Sequence, residues 1–435
     1  MNARTRNLLF TCLMLIAFGA AGYKVFSRPA APTYAVVPVK TLRAAEKPPS
    51  VGQPPEGDSR FVSSVPGQAV HAPSIVELSN GSLRAVWFSG SREGAGDVTV
   101  QTAVLDTATG HWGSESTLFD RPQLQRSLWR YVKKIGNPVI ARAPDGSLHL
   151  WMVNVSLGGW AGSAITWSRS ADDGTTWAQP KRLVTSPFLN ISTLVKGAPV
   201  AMADGSTSLP AYHEFITKFG EVLHISPDGR VLDKSRIAGS HTSLQPVLLV
   251  TSPLEATCYL RAGQGGNVMT SGTRDAGKTW SQVSATRLPN PDSSVAGLVS
   301  STGEQVLALN PTTTGRQSLA VVKADGAGKF DAAKRLFVEG VGAAQAGSNV
   351  SLAKSLSVAD HAALLGSELK ASGAGDAEIE AYVASAARQL CGPVSCVQEF
   401  SYPFLLQTRD GSLHLVYTWN RSRIKHIRLG HDALN

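Results

Sequence analysis

Cysteine is scarce in this chain of 435 residues: Cys12, Cys258, Cys391 and Cys396 are the whole set. Their spacing offers no metal-ligand pattern, so no metal and no cofactor is expected. Charge is also sparse, at 17% of residues, while the 43% hydrophobic content is ample for a large core; this is not the composition of a disordered chain. Acidic residues fall short of basic ones, which leaves a formal charge of +9. No Lys/Arg tract with interleaved aromatics stands out, which argues against nucleic acid as a partner. An anionic glycan or an anionic membrane surface suits the charge better. Helical periodicity is scarce as well. What is plentiful is Gly (41) and Pro (24), with short apolar strands between turn signals, and that pattern reads as all-β.

Residues 1–28 read as an export segment. Arg4 and Arg6 come first, Leu8 to Gly22 is almost wholly apolar, and Lys24 and Arg28 follow. The run is short for a membrane span and suits a signal peptide. The alternative is an uncleaved signal anchor held in the inner membrane by residues 8–26. Either reading puts the body in the periplasm or outside the cell. Residues 29–66, rich in Pro, Ala, Ser and Lys, read as an extended, mobile linker. Cys258 reads as a buried small hydrophobe. Cys391 and Cys396, in Cys-Gly-Pro-Val-Ser-Cys, read as a small disulfide loop of an oxidising compartment.

Two patterns interleave over residues 67–435. The first is a turn of Asn/Asp-Gly type followed by an alternating apolar strand. It recurs at Asn80-Gly81, Asp145-Gly146, Asp204-Gly205, Ser252-Pro253, Thr302-Gly303 and Asp410-Gly411. The second is Ser170-Ala171-Asp172-Asp173-Gly174-Thr175-Thr176-Trp177, with a near copy at Thr273-Arg274-Asp275-Ala276-Gly277-Lys278-Thr279-Trp280. Asp can bond its own backbone two residues on, and Gly supplies a positive φ; Thr and Trp are expected to open the next strand with the Trp turned inward. Degenerate members stand at Asp106 to Trp112, at Ser226 to Gly229 and at Ala324 to Phe330. Six units of about four strands predict a six-bladed β-propeller. Phe61 to Val76 is expected to join the last blade and close the ring. An insertion at 338–398 precedes the last blade. There Ile379, Tyr382, Val383, Ala386 and Leu390 share one helical face, which predicts a flap packed on the propeller.

The Ser-x-Asp-x-Gly-x-Thr-Trp units resemble the Asp-boxes of the sialidase superfamily. The wider pattern resembles the bacterial BNR-repeat, sialidase-like (predicted neuraminidase) family: His71-Ala72-Pro73, Gly136-Asn137-Pro138, Tyr212-His213-Glu214, Leu288-Pro289-Asn290-Pro291, Asn310-Pro311, Ser401-Tyr402-Pro403 and Tyr417-Thr418-Trp419-Asn420-Arg421. The resemblance implies an extracytoplasmic exo-glycosidase that removes a terminal acidic sugar with a tyrosine nucleophile. The chemistry is legible. A sugar with a carboxylate on its anomeric carbon repels a carboxylate nucleophile. A phenol is neutral, and it attacks once a neighbouring Glu takes its proton.

On this resemblance Tyr402 is the nucleophile, Glu214 or Glu399 its base, and Asp97 the acid/base. Arg261, Arg316 and Arg421 end or follow inner strands of three blades, where propeller geometry would gather them as a carboxylate clamp. Arg92, Lys134, Asn137, Lys196, Tyr212, His213, Asn310 and Trp419 are the further candidates for holding a glycan. The family's opening Arg-Ile-Pro is replaced by His71-Ala72-Pro73, and Ala296 stands where related sequences carry an acid. Both departures point away from sialic acid itself, toward another acidic sugar or toward lost catalysis. The alternative function is a non-catalytic glycan-binding propeller, tethered at the membrane and assisting polysaccharide assembly or export, with aromatics such as Trp129, Trp160 and Trp419 lining a groove that holds no carboxylate pair. A monomer is expected.

Overall fold

The structure, a computed structural model, describes residues 3–26, 32–36, 59–106, 109–186, 190–340 and 355–430. Six antiparallel sheets follow one another along the chain. Blade 1 holds β2 (Ala69–Glu77), β3 (Leu83–Gly90) and β4 (Thr99–Asp106), edged by β5 (His111–Trp112) and β6 (Ser116–Phe119). Blade 2 holds β7 (Lys134–Arg142), β8 (Leu148–Val155), β9 (Ser163–Ser170) and β10 (Lys181–Arg182). In blade 3, β11 (Leu194–Val195) and β12 (Val200–Ala201) both pair with β13 (Thr207–His213), followed by β14 (Phe219–Ile225) and β15 (Val231–Arg236). Blade 4 runs through β16 (Ser243–Val250), β17 (Ala256–Ala262), β18 (Gly266–Thr273) and β19 (Ser284–Asn290). Blade 5 holds β20 (Ala296–Val299), β21 (Gln305–Leu309), β22 (Ser318–Ala324) and β23 (Phe330–Gly340). Blade 6 combines β24 (Phe400–Gln407), β25 (Leu413–Trp419) and β26 (Arg423–Leu429) with β1 (Ser59–Phe61), so the ring closes with strands from both ends of the propeller. The closing strand precedes the stretch expected to close the ring and shares only Phe61 with it; residues 69–77 form the inner strand of blade 1.

Middle strands are buried on both faces, which explains their continuous apolar character. In β8, Leu148, Leu150 and Met152 join the core shared with blade 1, while Trp151 and Val153 join the core shared with blade 3. The period of two sends alternate side chains to opposite neighbours. Each such side chain contributes roughly 1.5–3 kcal/mol by leaving water.

Each of the six recurring turns joins the first two strands of a blade. The Asp-box turns join third and fourth strands. In the first copy Asp172 accepts from Thr176 N at 2.9 Å and from Thr176 Oγ1 at 2.6 Å, while Ser170 Oγ accepts from Gly174 N at 2.8 Å. Asp275, Thr279, Thr273 and Gly277 repeat these bonds in the second copy. Two successive residues take a positive φ in each box, Asp173 with Gly174 and Ala276 with Gly277. Contrary to the sequence expectation, Thr176 and Trp177 do not open a strand; both serve the turn, and β10 begins only at Lys181.

The N-terminal helix α1 (Ala3–Phe26) has exposed side chains from Arg4 to Gly19. Among the described residues no helix is long and apolar enough to cross a membrane. Within the segment read as a linker, Tyr34 lies buried against the propeller, bridging to Met202 and packing in the cluster that holds Trp280. A short helix α2 (Arg121–Leu128) leads into blade 2. The insertion folds as α3 (Val358–Ala371) and α4 (Asp376–Leu390). The face expected from Ile379, Tyr382, Val383 and Ala386 packs with Leu365 and Leu369 onto the blade 5–6 core; Cys391 and Cys396 form a disulfide.

Candidate binding site at the channel mouth

Four inner strands share one irregularity. Register slips between His71 and Ser74, Gly136 and Val139, Leu244 and Val247, and Ser401 and Phe404. At each slip a residue with positive φ precedes a proline: Ala72 (52°), Asn137 (43°), Gln245 (51°) and Tyr402 (54°). Proline has no N–H to give a ladder, so it suits the bulge. A left-handed conformation ahead of proline is unfavourable, on the order of 1–3 kcal/mol, and such strain gathers at functional sites. The bulges turn Asn137, Gln245 and Tyr402 toward a common centre.

These side chains meet in one network. Gln245 Nε2 donates to the Tyr402 hydroxyl oxygen at 3.2 Å and to that of Tyr212 at 3.3 Å. Asn137 Nδ2 donates to Tyr212 at 3.2 Å. The Gln245 carbonyl accepts from Arg261 Nη1 at 3.2 Å, and Arg261 Nε donates to Asp292 at 2.6 Å. Arg316 Nη2 reaches the Asp292 carbonyl at 2.9 Å, and its Nη1 lies 3.5 Å from Glu399. Glu399 also accepts from Arg421 Nε at 3.0 Å and Ser401 Oγ at 2.6 Å. Arg421 Nη1 then bonds Glu93, on the loop between β3 and β4, at 2.9 Å. A continuous polar chain thus runs from Tyr402 through three arginines to Glu93.

Electrostatics fix the states of its members. Burial works against charge on Glu399, but Arg421 and Arg316, with the Ser401 bond, hold it below the ordinary carboxylate range. Burial also opposes charge on Arg261 and Arg421; Tyr402 and Asp292 on one, Glu399 and Glu93 on the other, outweigh it and keep both protonated. Burial raises the Glu214 carboxyl, and Arg261 and Lys218 only partly offset it. Burial drives Tyr212 well above the tyrosine range, so it stays a phenol. Against Tyr402, His71 packs at a tilt of 53° with ring centroids 4.2 Å apart and bonds Thr418 Oγ1 at 3.0 Å. Burial, then the surrounding Arg421, Arg316, Lys196 and Arg261, hold His71 neutral. Lys196 is buried, donates to the Pro403 carbonyl at 2.9 Å, and is pushed by burial to a pKa of about 7.

The remaining candidates stand outside this hydrogen-bonded chain. Asp97 accepts from Ser91 N and Ser91 Oγ, both at 3.0 Å, and so caps its own loop. Arg92 is exposed on that loop. His213 bonds Glu221 at 2.7 Å and stacks on Phe219, along blade 3. Asn310 is fully buried and ties the carbonyls of Ser318 and Phe400, a strut between blades 5 and 6. Trp419 is fully buried against Phe61 and cannot touch a ligand. Lys134 lies over the Trp160 ring, 5.6 Å from its centroid. The far end of the channel holds a cavity of about 520 Å³ lined by Ile75, Ala141, Ala198 and Phe404, where Arg142 is tied to Asp173 and Arg409 to Glu77.

Sequence reasoning passed over Gln245, Asp292 and Glu93. A signal for the bulges existed: Pro73, Pro138 and Pro403 each precede a turn glycine, Gly81, Gly146 and Gly411, by the same interval. Lys134 and Trp129 were singled out one by one, but the basic, aromatic stretch that joins them, Arg126-Ser127-Leu128-Trp129-Arg130-Tyr131-Val132-Lys133-Lys134, was not read as a unit.

The sequence model of the BNR repeat-like domain family matches residues 81–415. Among solved structures, a Hadza microbial sialidase superposes with a TM-score of 0.59 at 14% identity, over 84% of this chain and 66% of that one. The NanB sialidase of Streptococcus pneumoniae gives 0.58 at 10% identity, over 92% and 73%. A protein of unknown function from Dyadobacter fermentans gives 0.58 at 12% identity, over 86% and 98%. At these identities the likeness shows a shared fold. Comparison with curated proteins gives no match.

Proposed function

The chain belongs to the BNR repeat-like domain family, and on that footing we propose that it is a glycan-recognition propeller whose mouth holds the carboxylate of an acidic sugar. Arg261, Arg316 and Arg421 come from three different blades and are joined to Tyr402 in one polar chain, and guanidinium groups are suited to holding a carboxylate in bidentate fashion. The observation that carries recognition rather than hydrolysis is the partner of Tyr402. Its hydroxyl receives an amide N–H from Gln245, and among the described residues no carboxylate bonds it. An amide cannot take the phenolic proton, so the nucleophile lacks its base. Glu399 is committed to Arg316, Arg421 and Ser401.

Export of the protein is part of this reading. Arg4 and Arg6 ahead of the apolar run support it, as does the Cys391–Cys396 disulfide.

One observation favours the hydrolase reading: burial raises the Glu214 carboxyl, which makes its carboxylate a stronger proton acceptor. A single experiment separates the two. Wild type and Tyr402→Phe are assayed on chromogenic glycosides of sialic, glucuronic and galacturonic acid, and binding of the free acids is measured by calorimetry. Binding without turnover is the expected result. Turnover by wild type that Tyr402→Phe abolishes would establish the hydrolase instead.

A further inference from the structure

We infer that the segment Arg126–Lys134 is a stacking and charge platform that continues the mouth, so that the ligand is an acidic polysaccharide of several units rather than a lone terminal sugar; this rests on the mouth being an acidic-sugar site. The segment is built and held, not loose. Helix α2 starts on Asp120, whose side chain accepts from Gln123 N, and buries Leu124. It ends at Trp129 in the left-handed region (φ 49°), whose N–H returns to the Gln125 carbonyl. Gln125 Oε1 then accepts from Val132 N at 3.1 Å, Val132 is buried, and Lys133 N bonds Val155 O at 2.7 Å.

On this pinned frame the large side chains face water. Trp129 is 92% exposed and Tyr131 56% exposed. Apolar rings of this size leave water during folding wherever the chain permits; here a strained residue, flanked by anchored ones, holds an indole outward. Arg126, Arg130 and Lys133 are exposed between and beside them. No acidic residue occurs between Asp120 and Asp145, so the strip is purely cationic. Rings that offer flat faces, interleaved with cations, match a chain of sugar rings that carry carboxylates.

The strip also leads into the mouth. Its last residue, Lys134, opens β7, the strand that carries Asn137. A Cβ at Gly94, on the loop of Glu93, would sit 3.2 Å from Lys134 Nζ, and one at Gly136 would sit 2.8 Å from the Trp160 ring. Trp160 therefore lies over the backbone next to Asn137, with Lys134 above it. Trp129, Tyr131, Lys134 and Trp160 make one path toward the Asn137–Tyr212–Gln245–Tyr402 cluster. That continuity favours a polyuronate over a nucleic acid, which would need the strip alone.

The test compares galacturonic acid with hexagalacturonate on the full chain, by calorimetry at low and moderate salt. Hexagalacturonate is expected to bind at least about tenfold more tightly than the monomer, and Trp129→Ala/Tyr131→Ala to lose about tenfold of the hexamer affinity, as one lost stacking contact would give. The same variant is expected to keep monomer binding and the wild-type melting temperature, since both rings are exposed. Equal affinity for monomer and hexamer, or an unchanged hexamer affinity in the double variant, overturns the inference. So does tighter binding of a single-stranded oligonucleotide than of hexagalacturonate. Failure of the mouth reading looks different: hexamer binding that depends on Trp129 and Tyr131 but is indifferent to Arg316→Met and Arg421→Met.

Discussion

Gln245 Nε2 lies 3.2 Å from the Tyr402 hydroxyl oxygen, and both residues hold a left-handed conformation ahead of a proline in inner strands of different blades. An amide therefore occupies the place from which a carboxylate would activate the phenol. Gln245→Glu supplies that carboxylate with little change of shape. It is expected to bring turnover of chromogenic acidic glycosides from background to a measurable rate, and Tyr402→Phe in the same chain is expected to remove it.

The arginines differ in what they hold. Arg421 neutralises Glu399 at 3.0 Å and reaches Glu93 at 2.9 Å. Arg421→Met leaves Glu399 with Ser401 Oγ and with one cation, Arg316 at 3.5 Å. Removing one partner of a buried pair costs about 3–5 kcal/mol. Chemical denaturation is expected to show a loss near the lower end of that range, because Arg316 remains. The double change Arg421→Met/Glu399→Gln is expected to recover part of it.

Lys196 gives a pH signature. Burial lowers its pKa from 10.5 to about 7, so the unfolded chain binds the extra proton between those values. Stability is then expected to rise with pH from about 7 to 10.5, because the cost of burying a charge disappears as the unfolded lysine also loses its proton. Below about pH 7 that cost is constant. Lys196→Met is expected to be more stable than wild type, with the gap largest at and below neutral pH and closing toward pH 10.5. Melting temperatures across that range check it; a gap independent of pH is the opposing result.

Trp419 and Asn310 were read from the sequence as glycan contacts, and the structure buries both. Trp419→Ala is expected to destabilise by roughly 3–5 kcal/mol, with acidic-sugar affinity unchanged in the protein that folds. Asn310→Ala strips donors from the Ser318 and Phe400 carbonyls, at about 1–3 kcal/mol. Denaturation and calorimetry on the same samples separate the two effects.

The blade count was legible because its signals are local. Gly81, Gly146, Gly205, Gly303 and Gly411 all take φ between 83° and 86°, a conformation that glycine adopts without strain. The helical face of Tyr382 and Ala386 was legible for the same reason, its period being written in the chain. The site was less so. Tyr402, Arg261, Arg316 and Arg421 are legible as candidates, and the structure joins them in one network, but their pairing depends on Asp292 and Glu93, which sit in loops with no pattern of their own. Gln245 was missed because Gln-Pro inside an apolar strand resembles filler, and because the bulge that turns it inward is set by tertiary packing. The binding reading names Trp129 and Trp419 alike as groove aromatics, yet one is 92% exposed and the other fully buried, because exposure cannot be read from residue type.

The strand that closes the ring has a consequence for how the molecule is made. β1 is synthesised before blade 1, yet its partner β26 emerges only after blades 1 to 5. β1 must therefore wait for its neighbouring strand while nearly the whole propeller is translated. Blades 1 to 5 can form hairpins in order, but the cooperative ring cannot exist until β26 arrives. Until then the edges of the first and last blades stand open to other chains. Any truncation near Leu429 is thus a lesion in folding yield before it is one in function, visible as aggregation of nascent protein even when every residue of the mouth is intact.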